Sequence, residues 1–379
     1  MEFVLAEQER LVQETARDFA QKVLLPRAPR ADDDPEFGRQ TVELLRRHEY
    51  LGIMIPEEYG GGGMSCVEAV LATEQMARAC LSSAAILGAH NLAVYCLLLM
   101  GDAQQKQQYL PQLASGQRIG AFALTEANAG SDVVNLSTTA ARAGDDYVIN
   151  GCKQFITNGG IAGLVVVFAV TDRSQGGRGI SAFLVETEKP GFSIGKEENK
   201  MGIRGTSTGQ VNFDNCHVPA ANRLGKEGDG FKLAMMVLDR ARPSVGAQAL
   251  GVAQAALDMA VQYAKERVVF GQPLSEIQTT RFALADMATR LEAARLLVYR
   301  AATLAAAGTG RFSKDSSMAK LFASETAHFV VDQALQIHGG YGYMKEYPIE
   351  RLYRDQRILE IYEGTSEIQR LVIARGILQ

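Results

Sequence analysis

Hydrophobic positions recur at helical spacing over the first hundred residues of the chain. The first apolar stripe, expected to end near Pro26, contains Val12, Ala16, Phe19 and Val23. Stretches with similar spacing lie over about 36–50, 65–80 and 82–100, the second of them with Ser65 as its expected N-cap. The pattern therefore predicts an N-terminal helical domain over residues 1–118.

From Ile119 the pattern changes to short apolar runs separated by Gly, Asp and Asn, which is typical of strands and turns. The runs lie at about 122–124, 138–143, 147–149, 164–170, 180–185 and 211–213. Gly144-Asp145-Asp146 predicts a hairpin turn between two of them. Because no Gly-x-Gly-x-x-Gly joins a strand to a helix, a Rossmann fold is not expected. Residues 119–227 are therefore predicted to form a middle antiparallel β domain.

Helical spacing returns after Gly228-Asp229-Gly230. Long helices are predicted over about 231–269, 275–306, 313–337 and 348–360, and a shorter one from Glu367. The expected stops are Gly271-Gln272-Pro273, Gly308-Thr309-Gly310 and Gly339-Gly340. Residues 228–379 are therefore predicted to form a C-terminal four-helix bundle domain. The whole chain is predicted to be an α+β multidomain protein, helical at both ends with strands between.

Composition excludes several classes of function. The net charge of -4 argues against a nucleic-acid binder. The longest apolar run, 92–100, is shorter than the roughly 18 residues of a membrane span, and no basic segment precedes an apolar signal, so a cytoplasmic protein without membrane association is predicted. A mature organellar protein would show the same features. The cysteines and histidines have no metal-binding spacing, and no metal is predicted.

One carboxylate near the C-terminus has the setting of a general base. Glu363 is followed by Gly364, which bends freely, and by Thr365, a good N-cap for the helix that follows. A carboxylate on a turn before a helix is available for proton abstraction. The alternative is that Glu363 only interacts favourably with the helix dipole.

The segment Ile361-Tyr362-Glu363-Gly364-Thr365-Ser366-Glu367-Ile368-Gln369 resembles the signature of the FAD-dependent acyl-CoA dehydrogenases, and the resemblance covers essentially the whole chain. In that family the Glu before Gly-Thr removes a proton from the carbon beside a thioester carbonyl, so the resemblance implies that Glu363 is the catalytic base. Some members place their base immediately before the counterpart of Arg242. Ala241 occupies that position here, which leaves the role to Glu363.

The resemblance also implies an FAD site. Residues 122–132 resemble the family's flavin segment, and residues 153–158 resemble its Lys-x-Trp-Ile-Thr-Asn, with Phe155 in place of the Trp. Residues 267–274 and 336–340 resemble stretches that reach the pyrophosphate and adenine from a neighbouring subunit. The implied cofactor-binding residues are Phe122, Leu124, Thr125, Gly130, Ser131, Phe155, Thr157, Arg267, Phe270, Gln278, Gln336, Gly339, Gly340, Thr365 and Glu367.

The family's substrate is an acyl-CoA, and the implied substrate-binding residues are Ser131, Asp239, Arg242, Tyr362 and Gly364. The implied partners are an electron-transfer flavoprotein and further copies of the chain, as a homotetramer. Three polar residues of the stretch 82–100, His90, Asn91 and Tyr95, are either satisfied internally or line a pocket. The acyl pocket is expected to include this helix, and these three residues with Met100 predict a short, branched or cyclic acyl group.

Several alternatives remain open on the sequence. An acyl-CoA oxidase or an enoyl-CoA reductase would carry nearly the same residues, and a non-catalytic acyl-CoA-binding scaffold could share the fold. Gly205-Thr206-Ser207-Thr208-Gly209 also matches the Gly-x-Ser-x-Gly pattern of thioester hydrolases. That chemistry needs a strand before the serine and a helix after it. A loop is predicted before this serine and a strand after it, so a hydrolase is not favoured.

Overall fold

A computed structural model describes residues 4–308 and 311–378. Its first part is helical, as predicted, with α1 (Glu7–Phe19), α2 (Phe37–Arg47), α3 (Cys66–Ala79), α4 (Leu81–Met100) and α5 (Ala103–Ala114). The expected stop at Pro26 is wrong: α1 runs on as a π turn, Ala20–Leu24, and a 3-10 segment, Leu25–Asp32. Pro26 stands in the first turn of that segment, where a missing N–H costs no hydrogen bond.

Capping residues fix where two of these helices begin. The backbone N–H of Ser65 donates to the Glu68 carboxylate at 2.7 Å, which confirms Ser65 as the N-cap of α3. Asp102 and Gln105 form the same reciprocal arrangement at the start of α5. The pattern of hydrophobic positions did not predict α5, and this capping box is the signal that could have found it.

Helix α4 is a core helix. It is the one stretch, within the part of the chain that the structure describes, that is long and apolar enough to cross a membrane, with a mean hydropathy of 1.7 over its most apolar window. That window is 72% buried inside the protein, against the first strand, α3 and a long C-terminal helix. Since the neighbouring elements already cover it, its hydrophobicity is accounted for by packing.

The middle strands form one twisted sheet, with β1 (Gly120–Ala123), β2 (Thr139–Ala143), β3 (Asp146–Thr157), β4 (Leu164–Val170), β5 (Ile180–Glu186), β6 (Phe192–Glu197), β7 (Thr208–Pro219) and β8 (Arg223–Leu224). The strand order is β6-β7-β3-β2-β4-β5-β8, with β1 paired to β4. The predicted hairpin is confirmed, since Ala143 pairs with Asp146 across Gly144-Asp145.

The sheet is mixed rather than wholly antiparallel. β1 pairs with β4 in parallel over four residues, and Thr139 of β2 pairs in parallel with Val170. Between β1 and β4 the chain makes a long loop and the β2–β3 hairpin, which is enough chain for the crossover that a parallel pair requires. Ser207 lies in a loop before β7 and no helix follows it, so the context required of a hydrolase nucleophile is absent.

The C-terminal part contains α6 (Gly230–Glu266), a small hairpin of β9 (Val268–Val269) and β10 (Gln272–Pro273), α7 (Gln278–Ala307), α8 (Ser313–His338), α9 (Ile349–Gln356) and α10 (Ser366–Leu378). The expected long helix over 348–360 is shorter, because a 3-10 segment, Arg357–Glu360, replaces its last turn. Gly308 ends α7 with a φ of +64°, as a helix-stopping Gly does; Thr309 and Gly310 lie outside the described residues.

Helices α6, α7 and α8 pack with α3 around small side chains. Their shared core includes Ala249, Ala253, Ala294 and Ala327, all essentially inaccessible to solvent. A Cβ at Gly251 would come within 2.3 Å of the Glu74 carbonyl of α3, so only Gly permits this closeness. The close packing places α4, α6 and α8 around the turn that carries Glu363.

Candidate active site

Glu363 stands on a strained turn between the 3-10 segment Arg357–Glu360 and α10. Its φ is +53°, and that of Gly364 is +97°. A left-handed conformation costs a non-Gly residue about 1–3 kcal/mol and persists only where the surroundings hold it. Here the Gly364 carbonyl accepts hydrogen bonds from Lys320 Nζ at 2.9 Å and from Gln369 Nε2 at 2.8 Å. The side chain predicted to be the base is therefore held in a fixed place.

The Glu363 side chain faces a cavity of about 320 Å³. The wall comes from α4, from β1 and the loop after it, from the end of β3 and from α6. Eleven of the residues predicted from the sequence line it: Phe122, Leu124, Thr125, Gly130, Ser131, Phe155, Thr157, Arg242, Tyr362, Glu363 and Gly364. The structure thus brings together segments that are up to 242 residues apart, from Phe122 to Gly364, around one carboxylate.

The carboxylate itself is desolvated. Its Oε2 is buried and receives no hydrogen bond from any residue that the structure describes. Burial raises the pKa of Glu363 to about 7, and the positive charges of Lys320 and Arg242 partly oppose that rise. A carboxylate that ionises near neutral pH is well matched to take a proton from carbon.

Arg242 is 3% exposed and is held from α6 and α8. Its Nη1 donates to the Asp239 carboxylate at 2.5 Å and to the Ser317 hydroxyl at 3.2 Å. Desolvation lowers the pKa of Arg242, and Asp239 and Glu363 oppose that effect. The guanidinium therefore stays charged beside the cavity.

A second, smaller cavity of about 10 Å³ also borders Glu363. Asn91 and Tyr95 line it, as the sequence suggested, and the Tyr95 hydroxyl donates to Met54 Sδ at 3.1 Å. Gly88 and Glu363 border both cavities. A space of this size holds about one water molecule, so little room exists beyond the carboxylate.

His90 and Met100 do not line either cavity. His90 Nδ1 accepts from the Gly120 N–H at 3.0 Å, and Nε2 lies 3.2 Å from the Leu51 carbonyl. Burial lowers the pKa of His90 to about 4, so the ring stays neutral and ties α4 to β1. Met100 packs beside Gly225 instead. The expectation that these two side chains shape the acyl pocket is wrong, because both are used for internal packing.

The wall formed by β1, β3 and the loop between them suits a flat ring with polar edges. The hydroxyls of Thr125, Ser131 and Thr157 face the cavity and bond no residue within the described ranges. The Phe155 ring is 59% exposed, and its φ is +59°. An exposed aromatic face beside free hydroxyls fits the apolar rings and polar atoms of a flavin.

A buried ion pair supports this wall. Lys153 Nζ lies 2.8 Å from the Glu126 carboxylate and 3.1 Å from the Leu124 carbonyl. The same carboxylate accepts the backbone N–H groups of Ser137 and Thr138. Desolvation lowers the pKa of Lys153 to about 8, and Glu126 opposes that effect. The loop that carries Thr125 and Ser131 is therefore built before any ligand arrives.

The other predicted cofactor residues form a separate group on the surface. Arg267, Gly339 and Gly340 line an open depression of about 480 Å³, and the Arg267 guanidinium carbon lies 5.7 Å from the centre of the Tyr341 ring. Phe270 is 97% exposed in the β9–β10 turn, and Gln278 and Gln336 are exposed. Within one chain this depression and the Glu363 cavity are distinct.

Asp239, Thr365 and Glu367 line neither cavity. The Asp239 carboxylate accepts hydrogen bonds from Arg242 Nη1 and from the Ser313 hydroxyl, so it keeps Arg242 in place without lining the cavity. Thr365 Oγ1 accepts from the Ile368 N–H at 3.4 Å as the cap of α10, and Glu367 is exposed in the first turn of that helix.

Sequence reasoning missed several contributors to the site. Gln248 accepts the Tyr362 hydroxyl, Gly88 borders both cavities, and Lys320 and Gln369 hold the Gly364 carbonyl. Lys320 lies on the buried stripe of α8 with Ser316, Ala323 and Ala327. A charged residue at such a position is the signal that could have identified it.

The fold and the site define a class of protein: an enzyme with a buried carboxylate beside a wall that fits a flavin. Three family models match the chain: the acyl-CoA dehydrogenase N-terminal domain over residues 6–117, the middle domain over 121–216 and the C-terminal domain over 228–378. The chain therefore belongs to the acyl-CoA dehydrogenase family, whose members are FAD-dependent oxidoreductases.

Two relatives show how near the similarity is. The chain is 49% identical over 381 residues to the acryloyl-CoA reductase (NADH) of Anaerotignum propionicum, covering 100% of this chain and 96% of the relative. It is 45% identical over 380 residues to the short-chain specific acyl-CoA dehydrogenase of Clostridium acetobutylicum, with both chains fully covered.

Solved structures agree with the family. A chain from a study of the electron transferring flavoprotein of Acidaminococcus fermentans matches with a TM-score of 0.98 and 44% sequence identity. Butyryl-CoA dehydrogenase from Megasphaera elsdenii matches with a TM-score of 0.95 and 42% sequence identity. Each comparison covers 100% of both chains. An acyl-CoA dehydrogenase from Bacillus anthracis complexed with FAD matches with 0.91 at 35%, over 99% of this chain and 67% of that one.

Proposed function

We propose that this protein introduces a double bond between Cα and Cβ of a short acyl-CoA thioester, with Glu363 as the base. The observation that carries the proposal is the buried carboxylate with an unpartnered Oε2 at the junction of two cavities. When bound, FAD supplies the acceptor for the hydride that leaves the β-carbon. The product is the trans-2-enoyl-CoA.

The chain's own groups account for the proton step. The backbone N–H of Glu363 has no acceptor within residues 4–308 and 311–378, so it can donate to the thioester carbonyl. That bond stabilises the negative charge that develops on the oxygen as the α-proton leaves. Arg242 and Lys320 place positive charge near Glu363, which favours its ionised form before the transfer.

The pKa of Glu363 sets the expected pH dependence. Only the ionised carboxylate accepts the proton, and burial holds its pKa at about 7. Activity should therefore rise with pH through about 7 on the acid side of the kcat/KM profile.

The proposed acyl group is short. The cavity beyond Glu363 has about 10 Å³, and Tyr95, Asn91 and Met54 close it. The similarity to a short-chain specific acyl-CoA dehydrogenase and to butyryl-CoA dehydrogenase supports the same choice. In a panel of thioesters, kcat/KM should fall for linear chains longer than about six carbons, each extra methylene lacking space to be buried.

A reductase is the second candidate. The 49% identity to an acryloyl-CoA reductase favours it, because the same site could run from enoyl-CoA to acyl-CoA. Two observations together would indicate the reductase. Saturated thioesters would not bleach the flavin, and enoyl-CoA would reoxidise the flavin after it has been reduced.

We further propose a composite cofactor site. The depression around Arg267, Gly339 and Gly340 would hold the pyrophosphate and adenine of an FAD whose ring lies in the Glu363 cavity of a neighbouring copy, which requires an oligomer and suggests a homotetramer. An electron-transfer flavoprotein is the proposed electron acceptor, supported by the 0.98 match to the chain from the Acidaminococcus study. We also propose domain boundaries at 118/119 and 227/228 and a cytoplasmic location.

The visible spectrum of the anaerobic protein tests the function. Butyryl-CoA should bleach the flavin of wild type and of Glu360→Gln, a control in the same segment whose carboxylate pairs with His328 instead of facing the cavity. Glu363→Gln should retain its colour and bleach about 1000-fold more slowly or not at all. A colourless protein, or bleaching of Glu363→Gln at the wild-type rate, would contradict the cofactor or the base respectively.

A further inference from the structure

Lys320 is an unusual residue beside the base. Its side chain is 0% exposed, on the stripe of α8 that packs into the helical core. Within the part of the chain that the structure describes, no carboxylate oxygen lies within 4.0 Å of its Nζ. A buried ammonium without a direct ion pair is costly, so a fold retains it only where it has a specific use.

The one hydrogen bond that the Lys320 side chain makes, among the described residues, is to the turn that carries Glu363. Its Nζ donates to the Gly364 carbonyl at 2.9 Å, and Gln369 Nε2 donates to the same oxygen at 2.8 Å. The peptide between Gly364 and Thr365 is therefore held from α8 and from α10, and Gln369 Nε2 also donates to the Glu363 carbonyl at 3.4 Å. Because Glu363 and Gly364 both have positive φ values, +53° and +97°, we expect this turn to relax if both donors were removed.

The charges around Glu363 come from several elements. Lys320 on α8 and Arg242 on α6 are the cations, and Asp239 offsets Arg242. Tyr362 on the turn, Tyr95 on α4 and Cys66 on α3 stay neutral, since burial raises the pKa of each. Glu360 and Glu367 also act on the charge of Lys320, without a direct ion pair to it. With Arg242 already paired, Lys320 is the cation whose charge is not compensated by a direct partner.

We propose that Lys320 is a positioning residue for the base: its ammonium fixes the Gly364 carbonyl and so the direction of Glu363, and its charge stabilises the ionised carboxylate. The proposal rests on the proposed function for its meaning, since Glu363 must act as a base. Gln369 shares the first task but carries no charge. The two tasks can therefore be separated by substitution.

The test is an infrared titration of the flavin-bound protein without substrate. A stretching band of a protonated carboxyl that is present in wild type and missing in Glu363→Gln belongs to Glu363. This band therefore reports the ionisation of Glu363 alone. Four proteins are compared: wild type, Lys320→Met, Gln369→Leu, and Lys314→Met as a matched control, the same substitution six positions earlier on α8.

The sign of the expected shift follows from the charge. Removing a cation destabilises the carboxylate, so in Lys320→Met the band should persist to a pH about one unit higher than in wild type. Lys314→Met and Gln369→Leu should titrate as wild type does. Flavin bleaching by butyryl-CoA should be slowed in both Lys320→Met and Gln369→Leu, and the acid side of its pH profile should move upward only in Lys320→Met.

If the Glu363 band titrated at the same pH in Lys320→Met and Lys314→Met, the proposal would be overturned, even if the flavin of Lys320→Met bleached slowly. A purely structural role of Lys320 would leave the pH at which Glu363 ionises unchanged. If Lys320→Met does not fold, Lys320→Gln, which removes the charge and keeps a donor, decides by the same titration. Since no thioester is present, a protein that fails the bleaching test of function would still give a clear answer here.

Discussion

The Glu363 cavity and the Arg267 depression differ in how complete each is within one chain. The cavity is enclosed by α4, α6, β1 and β3, and buried contacts hold its polar groups. Two aromatic residues next in sequence to lining residues of the depression are open to solvent: Phe270, which follows Val269, is 97% exposed, and Tyr343, which precedes Met344, is 80% exposed. Aromatic side chains are enriched at protein–protein interfaces, so these two side chains are candidates for contact with a neighbouring copy.

Under the proposed composite cofactor site, chemistry and assembly would be assigned to different regions of the chain. Residues that must act on a substrate are fixed by contacts inside the chain, such as the pair of Lys153 with Glu126. Residues that would contact a shared cofactor stand on short turns and helix ends, where a neighbouring copy could cover them. Substitutions in the cavity should therefore affect a single chain's fold or rate, whereas those in the depression should affect binding and assembly.

The largest effect is expected for Lys153→Met, which leaves the Glu126 carboxylate buried without its cation. Breaking a buried pair from one side costs about 3–5 kcal/mol. Urea unfolding followed by circular dichroism should show a loss of this size in the free energy of unfolding. Lys196→Met is the control, because Lys196 pairs with Glu198 at the surface with its side chain 71% exposed, where a pair contributes about 0–1 kcal/mol.

The double variant Lys153→Met/Glu126→Gln tests whether the ion pair itself supports the cavity wall. Without the lone charge, part of the lost stability should return, although the amide cannot reproduce both bonds to Ser137 and Thr138. A double variant less stable than Lys153→Met would show that the Glu126 bonds to the backbone, rather than the ion pair, support the wall.

Much of the fold followed from the sequence, because its signals are local. Amphipathic spacing gave α1 and α3, the Gly144-Asp145 turn gave the β2–β3 hairpin, and Gly308 marked the end of α7. The parallel pairing of β1 with β4 could not be read in the same way. Register between distant strands depends on contacts that neither strand's own pattern contains.

The residues of the site also fall into those that the sequence predicted and those that it did not. Family motifs led to Glu363, Phe155 and Arg242, which are close together in space although far apart in sequence. Lys320 was missed, because a lysine in a helical pattern is normally taken as solvent-exposed. His90 was assigned partly to the pocket, because periodicity gives the face of a helix but not the partner, here the Gly120 N–H.

Arg267→Met tests the open region and should have an intermediate effect. A hydrogen bond from a charged donor contributes about 1.5–3 kcal/mol, so FAD should bind the apoprotein about 10–150-fold more weakly, as measured by flavin fluorescence titration. Bleaching by butyryl-CoA per bound flavin should stay near the wild-type rate, because the Glu363 cavity is unchanged.

Arg173→Met is the control for this change, since Arg173 is exposed on a 3-10 segment of the middle region and lines neither the Glu363 cavity nor the depression. It should bind FAD as wild type does. If Arg267→Met kept full FAD affinity, or lost its bleaching rate while keeping flavin, the depression would not be the cofactor's second contact and the composite site would be wrong.

The smallest effect is expected for Phe155, an exposed aromatic residue of the cavity wall. Because 59% of this ring is open, Phe155→Trp and Phe155→Leu should leave the free energy of unfolding within about 0.5 kcal/mol of wild type. A ring face against the flavin adds about 0.5–1.5 kcal/mol, so FAD affinity should fall up to about tenfold in Phe155→Leu and be kept or raised in Phe155→Trp. Equal affinities of Phe155→Leu and wild type in the fluorescence titration would place the flavin elsewhere. A large loss in Phe155→Trp would instead show that the wall is too tightly built for an indole, which would make this part of the cavity as rigid as the buried pair of Lys153 and Glu126 behind it.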